Sequence, residues 1–386
     1  MGDDDNLPDD QQEDADDLQL QENWFVGPIL WSTDWTTETV VTQIKRGNIN
    51  LNPRFQRRNA WERTRKSSFI ESLILGLPIP QIVLAEEKGN RGKFIVIDGK
   101  QRLLAIRQFT AEKGEEFEQL RLAGLKDRPD LNGQTYKSMS TNKDLDSEFN
   151  NFDNQTIRTV VIRGWTDERY LYSVFLRINT GSVQLSPQEL RQALHPGPFS
   201  DFIDDFSVES EPLRSAMRLK QADFRMRDVE LVLRYFAYAN FAADYRGDLK
   251  KFLDFTTLNL NKNWAQVQER LDLQAEQFNA ALVAVRTIFG ERDELRKWNG
   301  VEFERKINRA VFDIMIYYLS IPDIRRAMLD KAPEIKEAFR HLCERNGNFR
   351  TALESTTKSM EANRTRFEAW ANVVGRIINL PIRSPF

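Results

Sequence analysis

Phe94-Ile95-Val96-Ile97-Asp98-Gly99-Lys100-Gln101-Arg102-Leu103 is the stretch on which the fold of this chain turns. Four consecutive apolar residues, 94–97, predict a strand buried on both faces. From Arg102 to Ala111 the apolar spacing predicts a helix. The residues between form a strand-to-helix turn. Gly99 permits a positive φ angle or a close backbone approach. The new helix offers unpaired N–H groups and the positive end of its dipole. Lys100 and Arg102 add charge, and the Arg fork suits phosphate oxygens. Asp98 offers a carboxylate either to a phosphate-bridging Mg²⁺ or to Arg102. Together these features predict an anion site, of a kind suited to the phosphates of a nucleotide. A plainer reading fits the isolated turn as well: Asp98 caps the helix and the cations are solvated. The turn is neither a P-loop nor a Gly-x-Gly-x-x-Gly loop.

Working outward, Gln81–Ala85 predicts a second strand, joined to the first through a turn at Gly89-Asn90-Arg91-Gly92. Before it, Trp61–Leu75 predicts a helix with Phe69, Ile70, Leu73 and Ile74 on one face, stopped by Gly76, Pro78 and Pro80. Thr36–Lys45 predicts a short helix, and Trp24–Trp31 is read only as the start of the fold. Residues 112–155 are polar and read as irregular. Thr159–Ile162 predicts a further strand, and Thr166 a helix cap for a segment reaching Arg177. Ser186-Pro187-Gln188-Glu189 is a helix start with a capping Ser, Pro at the first position and Glu at the third. After Pro196-Gly197-Pro198 the pattern is helical. Val229, Leu233, Phe236 and Ala237 form one stripe. Phe278, Leu282 and Val285 form another, and Val311, Ile314, Met315, Tyr318 and Leu319 a third. The expected architecture is α+β: a small mixed sheet with helices over residues 24–197, then an all-α domain over 198–386.

Composition narrows the chemistry. The 386 residues suffice for two domains. No apolar run is long enough for a membrane helix, so no membrane partner is expected. A single cysteine, Cys343, fits a reducing cytoplasm, and with two histidines in all a Cys/His zinc site is not expected. Residues 1–22 hold ten acids and no Lys or Arg. Residues 1–23 are therefore expected to be a disordered acidic tail. Removing the ten acids from 58 leaves 48 against 55 basic residues, a balance of +7.

Two further clusters bear chemistry-capable residues. Asn52-Pro53-Arg54-Phe55-Gln56-Arg57-Arg58-Asn59-Ala60-Trp61 interleaves cations, amides and aromatics, as phosphate contact with base stacking requires. A basic loop with its two aromatics in the core is the other reading. Phe175-Leu176-Arg177-Ile178-Asn179-Thr180-Gly181 ends a helix at a glycine-containing loop, which suits either a ligand contact or a plain helix end. His195 is read as a loop residue. The acidic pairs Asp204-Asp205 and Asp228 with Glu230 are read as solvated helix faces.

The order of these segments carries a resemblance. Pro53-Arg54-Phe55-Gln56-Arg57 with Trp61, Ile70 through Pro80, Ile97 through Leu103, Phe175 through Gly181 and Leu185-Ser186-Pro187-Gln188-Glu189-Leu190-Arg191 stand in sequence. The chain resembles the N-terminal domain of GmrSD-type restriction endonucleases, also called domain of unknown function 262, over about residues 30–197. Phe224 through Glu230 is similar to a stretch in the helical region of stand-alone members. The resemblance implies a ParB/sulfiredoxin-like fold. It also implies nucleotide binding and hydrolysis at an Asp-Gly-Gln-Gln-Arg motif, within systems that defend bacteria against phage. Lys100 stands where the family has its first Gln, which adds charge favourable to phosphate.

Carried onto this chain, the resemblance implies Asp98, Gln101 and Arg102 as catalytic residues. Gln56, Arg57, Gly99, Lys100, Arg177 and Asn179 would bind the nucleotide. Asp98 would also be the ligand of a Mg²⁺ ion that offsets phosphate charge. Full-length relatives often carry a His-Asn-His nuclease domain, whereas residues 199–386 contain one histidine, His341. DNA cutting is therefore expected from a partner nuclease, with DNA as a second ligand and self-association as an option. Two alternatives stay open: a stand-alone metal-dependent nuclease of ParB-like fold, and a DNA- or protein-binding module without turnover. If the acidic tail competes with DNA for a basic surface, deleting residues 1–22 tightens DNA binding at low salt and less so at high salt. Unchanged affinity in a filter-binding titration would remove that role.

Overall fold

The computed structural model describes residues 28–51, 58, 61–178, 186–354 and 359–386. Gln56, Arg57, Asn179 and the acidic tail lie outside these residues. Two compact units are present, meeting in sequence between Leu194 and His195.

In the first unit the order is β1 (Ile29–Thr36), α1 (Thr37–Lys45), α2 (Arg63–Ile74), β2 (Ile82–Glu86), β3 (Phe94–Asp98) and α3 (Lys100–Phe109). There follow α4 (Tyr136–Thr141), α5 (Asp146–Asn154), β4 (Thr156–Arg163), α6 (Glu168–Ile178) and α7 (Pro187–Leu194). The four strands form one mixed sheet in the order β1-β4-β2-β3. β1 and β4 pair antiparallel, β2 and β3 form the antiparallel hairpin, and β2 runs parallel to β4. The unbroken apolar run of β3 serves both faces. Phe94 and Val96 join a core with α1, α2, α3 and α5, which holds Val40, Ile70, Leu103 and Phe152. Ile95 and Ile97 join the opposite core, closed by Tyr170, Leu171 and Phe175 of α6 and Leu190 of α7.

Two expectations are corrected. Residues 29–36 form a strand rather than a mere start of the fold; as an edge strand its residues are largely exposed, so the apolar alternation is weak. Residues 112–155 are not irregular throughout, since α4 and α5 lie within them. Their anchor is aromatic. Phe152 is fully buried, with its ring centroid 5.1 Å from Phe109 and 5.8 Å from Tyr136. Polar side chains then cap and cross-link the short elements. Thr135 and Ser138 form a reciprocal capping box, and Arg128 bonds both Asp130 and Glu148.

The second unit is helical: α8 (Pro198–Glu209), α9 (Glu211–Ala216), α10 (Arg227–Phe241), α11 (Leu249–Lys262) and α12 (Trp264–Phe289). It continues with α13 (Arg309–Leu319), α14 (Pro322–Asp330), α15 (Ala332–Arg345), α16 (Gly347–Glu354) and α17 (Met360–Ile378). All three apolar stripes read from the sequence are buried. The acidic pairs are corrected: Asp204, Asp228 and Glu230 are buried, not solvated. Glu230 faces Arg309 at 3.2 Å, and Arg234 grips Asp313 with two nitrogens while Arg366 meets the same carboxylate at 3.3 Å. Buried charges are costly unless paired, and this network sets both carboxylates against arginines, although Arg366 Nε and Nη1 find no hydrogen-bond partner among the described residues. Among the described residues no helix is long and apolar enough to cross a membrane.

Phe152→Ala is expected to lower the unfolding free energy by about 3–5 kcal/mol, read by chemical denaturation. A loss below about 1 kcal/mol would show that residues 136–154 are not part of the first unit's cooperative core.

Candidate functional site

β3 ends irregularly. Leu84 lies opposite Val96, but Val83 lies opposite Asp98, so Ile97 is an extra residue on β3. Such a bulge bends the strand and re-aims the residues beyond it. Gly99 then takes φ 98° and serves as the N-cap of α3, with no side chain capping the helix. The glycine is required on two grounds. Its left-handed backbone disfavours side chains, and a Cβ here would sit 3.1 Å from Ile82 Cγ1 and 3.3 Å from Arg102 Nη2.

Both halves of the plain reading of this turn are corrected. Asp98 does not cap the helix; its Oδ2 accepts from Arg102 Nη2 at 2.7 Å, and the same nitrogen donates to the carbonyl of Gln81 at 3.1 Å. Nor are the cations solvated, since Lys100 and Arg102 are buried. Arg102 folds back over Gly99, which joins Asp98, Gly99, Arg102 and the start of β2 in one constellation.

Lys100 faces a different partner. Its Nζ donates to Glu189 Oε1 at 2.9 Å, and both side chains are only 5% exposed. Glu189 is the third residue of the predicted capping box, which is present: Ser186 N donates to Glu189 Oε2 at 2.8 Å, and Glu189 N donates to Ser186 Oγ at 3.1 Å. The carboxylate thus closes its own helix start with one oxygen and neutralises Lys100 with the other. The charge that Lys100 is expected to bring to the turn is therefore shared with Glu189. Sequence reading placed Glu189 only as a cap. Its second role had no local signal, because the partner lies 89 residues away.

Two buried atoms at the turn, Gln101 Oε1 and Arg102 Nε, have no hydrogen-bond partner among the described residues. Buried polar groups in this state are costly, and Arg214 Nε and Trp370 Nε1 in the helical unit share it. The Arg177 side chain is exposed in the last turn of α6, and α6 and α7 both pack against β3. His195 is buried, and its carbonyl accepts from Ser200 Oγ and Asn261 Nδ2. As to a metal, no group of three or more His, Cys, Asp or Glu among the described residues is arranged to hold one. Asp98 supplies a single carboxylate, one oxygen of which is engaged by Arg102. That donor set fits Mg²⁺ held by one carboxylate with phosphate and water oxygens, and does not fit an all-protein cage.

Lys100→Gln alone is expected to cost about 3–5 kcal/mol of stability, because it strands the Glu189 charge in the interior. Adding Glu189→Gln, which can still serve the capping box, is expected to recover more than half of that loss. Strictly additive losses in the double-mutant cycle would show that the pair is not coupled.

No curated protein and no solved structure matches the chain. A family model does, that of the GmrSD restriction endonuclease N-terminal domain, over residues 36–196. The matched residues take in the sheet from α1 onward, the 98–102 turn and the helix that carries Glu189. Residues 36–196 of this chain belong to the GmrSD restriction endonuclease N-terminal domain family.

Proposed function

We propose that the chain is the nucleotide-responsive component of a restriction-like system that defends bacteria against phage, with the 98–102 turn as its nucleotide site. The observation that carries this reading is the uncapped start of α3 behind a left-handed glycine, with Gln101 and Arg102 in its first turn and their Oε1 and Nε atoms without a partner among the described residues. A nucleoside triphosphate with its attacking water supplies what the two atoms lack. A phosphate oxygen accepts from Arg102 Nε, and the water donates to Gln101 Oε1. A glutamine oriented in this way aims water at the terminal phosphate, and arginine offsets the charge that develops there. Gly99 lets the backbone come close to the phosphate. Asp98 would hold a Mg²⁺ ion, which when bound offsets charge on the phosphate oxygens.

Lys100 acts through Glu189 in this scheme. The pair fixes the first turn of α3 against α7 and holds Gln101 and Arg102 in place. Nuclease activity is assigned to a partner protein, and DNA to the role of second ligand. The family's restriction-endonuclease description and the +7 balance outside residues 1–22 support a polyanionic ligand.

A phosphate-release screen of the four ribonucleoside triphosphates, with and without DNA, tests the proposal. Turnover by the wild-type chain is expected with at least one of them. Arg102→Ala is expected to reduce it by at least about a hundredfold, the scale on which loss of a charge-stabilising donor acts. An Arg102→Ala protein that turns over at the wild-type rate would overturn the assignment. Tight nucleotide binding without phosphate release would recast the site as a ligand-operated switch.

A further inference from the structure

A second cleft lies in the first unit, at the far end of α3. Its volume is about 390 Å³, and its walls include Trp61, Arg63, Lys66, Gln108, Glu118 and Arg121. Gln108 follows Lys100 by eight residues on α3, about 12 Å along the helix axis, so this cleft is separate from the 98–102 turn. The volume falls in the range of small-ligand pockets.

The described residues of its lining carry three cations, Arg63, Lys66 and Arg121, and one acid, Glu118. Arg63, Arg65 and Lys66 occupy the first turn of α2, where the helix dipole disfavours cations and favours anions. That turn contains no acidic residue, and Glu62 at its N-cap makes no capping hydrogen bond. Lys66 is 6% exposed, and its Nζ donates to Gln108 Oε1 at 2.6 Å. Burial lowers its pKa, and the charge of Glu118 opposes that shift only in part. Two rim cations are already oriented by backbone. Arg63 Nε donates to the carbonyl of Arg121 at 2.8 Å, and Arg121 Nη1 to that of Gly133 at 2.6 Å. Each guanidinium keeps further donors. Arg65 stacks over the Trp61 ring at 4.8 Å, which fixes that wall.

We infer that this cleft binds a phosphate group, with Lys66 at its floor and Arg63 and Arg121 at its rim. A dianion there pairs with the cations, complements the start of α2 and offsets by its charge the desolvation cost borne by Lys66. The phosphate belongs either to a small molecule or to a nucleic-acid backbone, and one set of measurements separates the two sources.

Calorimetric titrations at matched ionic strength would use inorganic pyrophosphate in one arm and a short DNA duplex in the other. The exposed rim substitution Arg121→Ala leaves the core intact and is expected to weaken binding by about tenfold or more. Lys66→Met is expected to abolish binding while raising the melting temperature of the unliganded protein, since it removes a buried charge of lowered pKa. All titrations are made in the Arg102→Ala background, so that phosphate taken up at the 98–102 turn does not enter the measurement. Pyrophosphate binding lost in the Arg121 and Lys66 variants assigns a small phosphate, and duplex binding with the same losses assigns nucleic acid. Failure of both probes to bind the Arg102→Ala parent would overturn the inference. So would binding that survives both substitutions.

Discussion

Glu189 spends both carboxylate oxygens, and the first unit is organised around how it does so. One oxygen accepts from the backbone of Ser186 and closes the start of α7; the other meets the buried ammonium of Lys100 at the start of α3. Neither charge is tolerable alone at 5% exposure. α3 and α7 must therefore dock together, and both sit against β3, whose bulge and glycine set where the Asp98–Arg102 pair points. A hydrophobic contact could tie two helices as tightly. It would not impose one register, whereas an ion pair anchored in a capping box admits very little sliding.

The helical unit solves a related problem on a larger scale. Arg234, Arg309 and Arg366 lie in its interior with Glu230 and Asp313, on α10, α13 and α17. Burial works against the charge on Arg234, yet the adjacent Asp313 raises its pKa above the usual guanidinium range. Arg309, facing the more distant Glu230, is left with a lowered pKa because desolvation dominates. Such a core is specified by polar matching as much as by shape.

Much of this was legible in the sequence, for identifiable reasons. β3, the β2–β3 hairpin and the three helical stripes announce themselves through apolar periodicity. The capping box at Ser186–Glu189 is a local code read within four residues. β1 was missed because an edge strand carries a polar outer surface and little alternation. α4 and α5 were missed because one buried aromatic, Phe152, does the anchoring that a longer stripe usually does. At the 98–102 turn, the strand-to-helix geometry was legible and the partner of Lys100 was not. Asp98 holding Arg102 is a spacing of four, and that alternative is the one present. Lys100 meeting Glu189 depends on tertiary structure, and no local pattern encodes it.

The span between Lys100 and Glu189 also sets an order of events during synthesis. A ribosome adding about 5–20 residues per second needs roughly 5–20 s to deliver Glu189 after Lys100. Early in that interval β3 can pair with β2, while the partner strand β4 and then the covering helices α6 and α7 follow one after another. The nascent hairpin keeps one apolar face bare and its lysine in water. α6 brings most of the cover for that face, and α7, arriving last, brings Leu190 and the carboxylate that Lys100 has lacked until then.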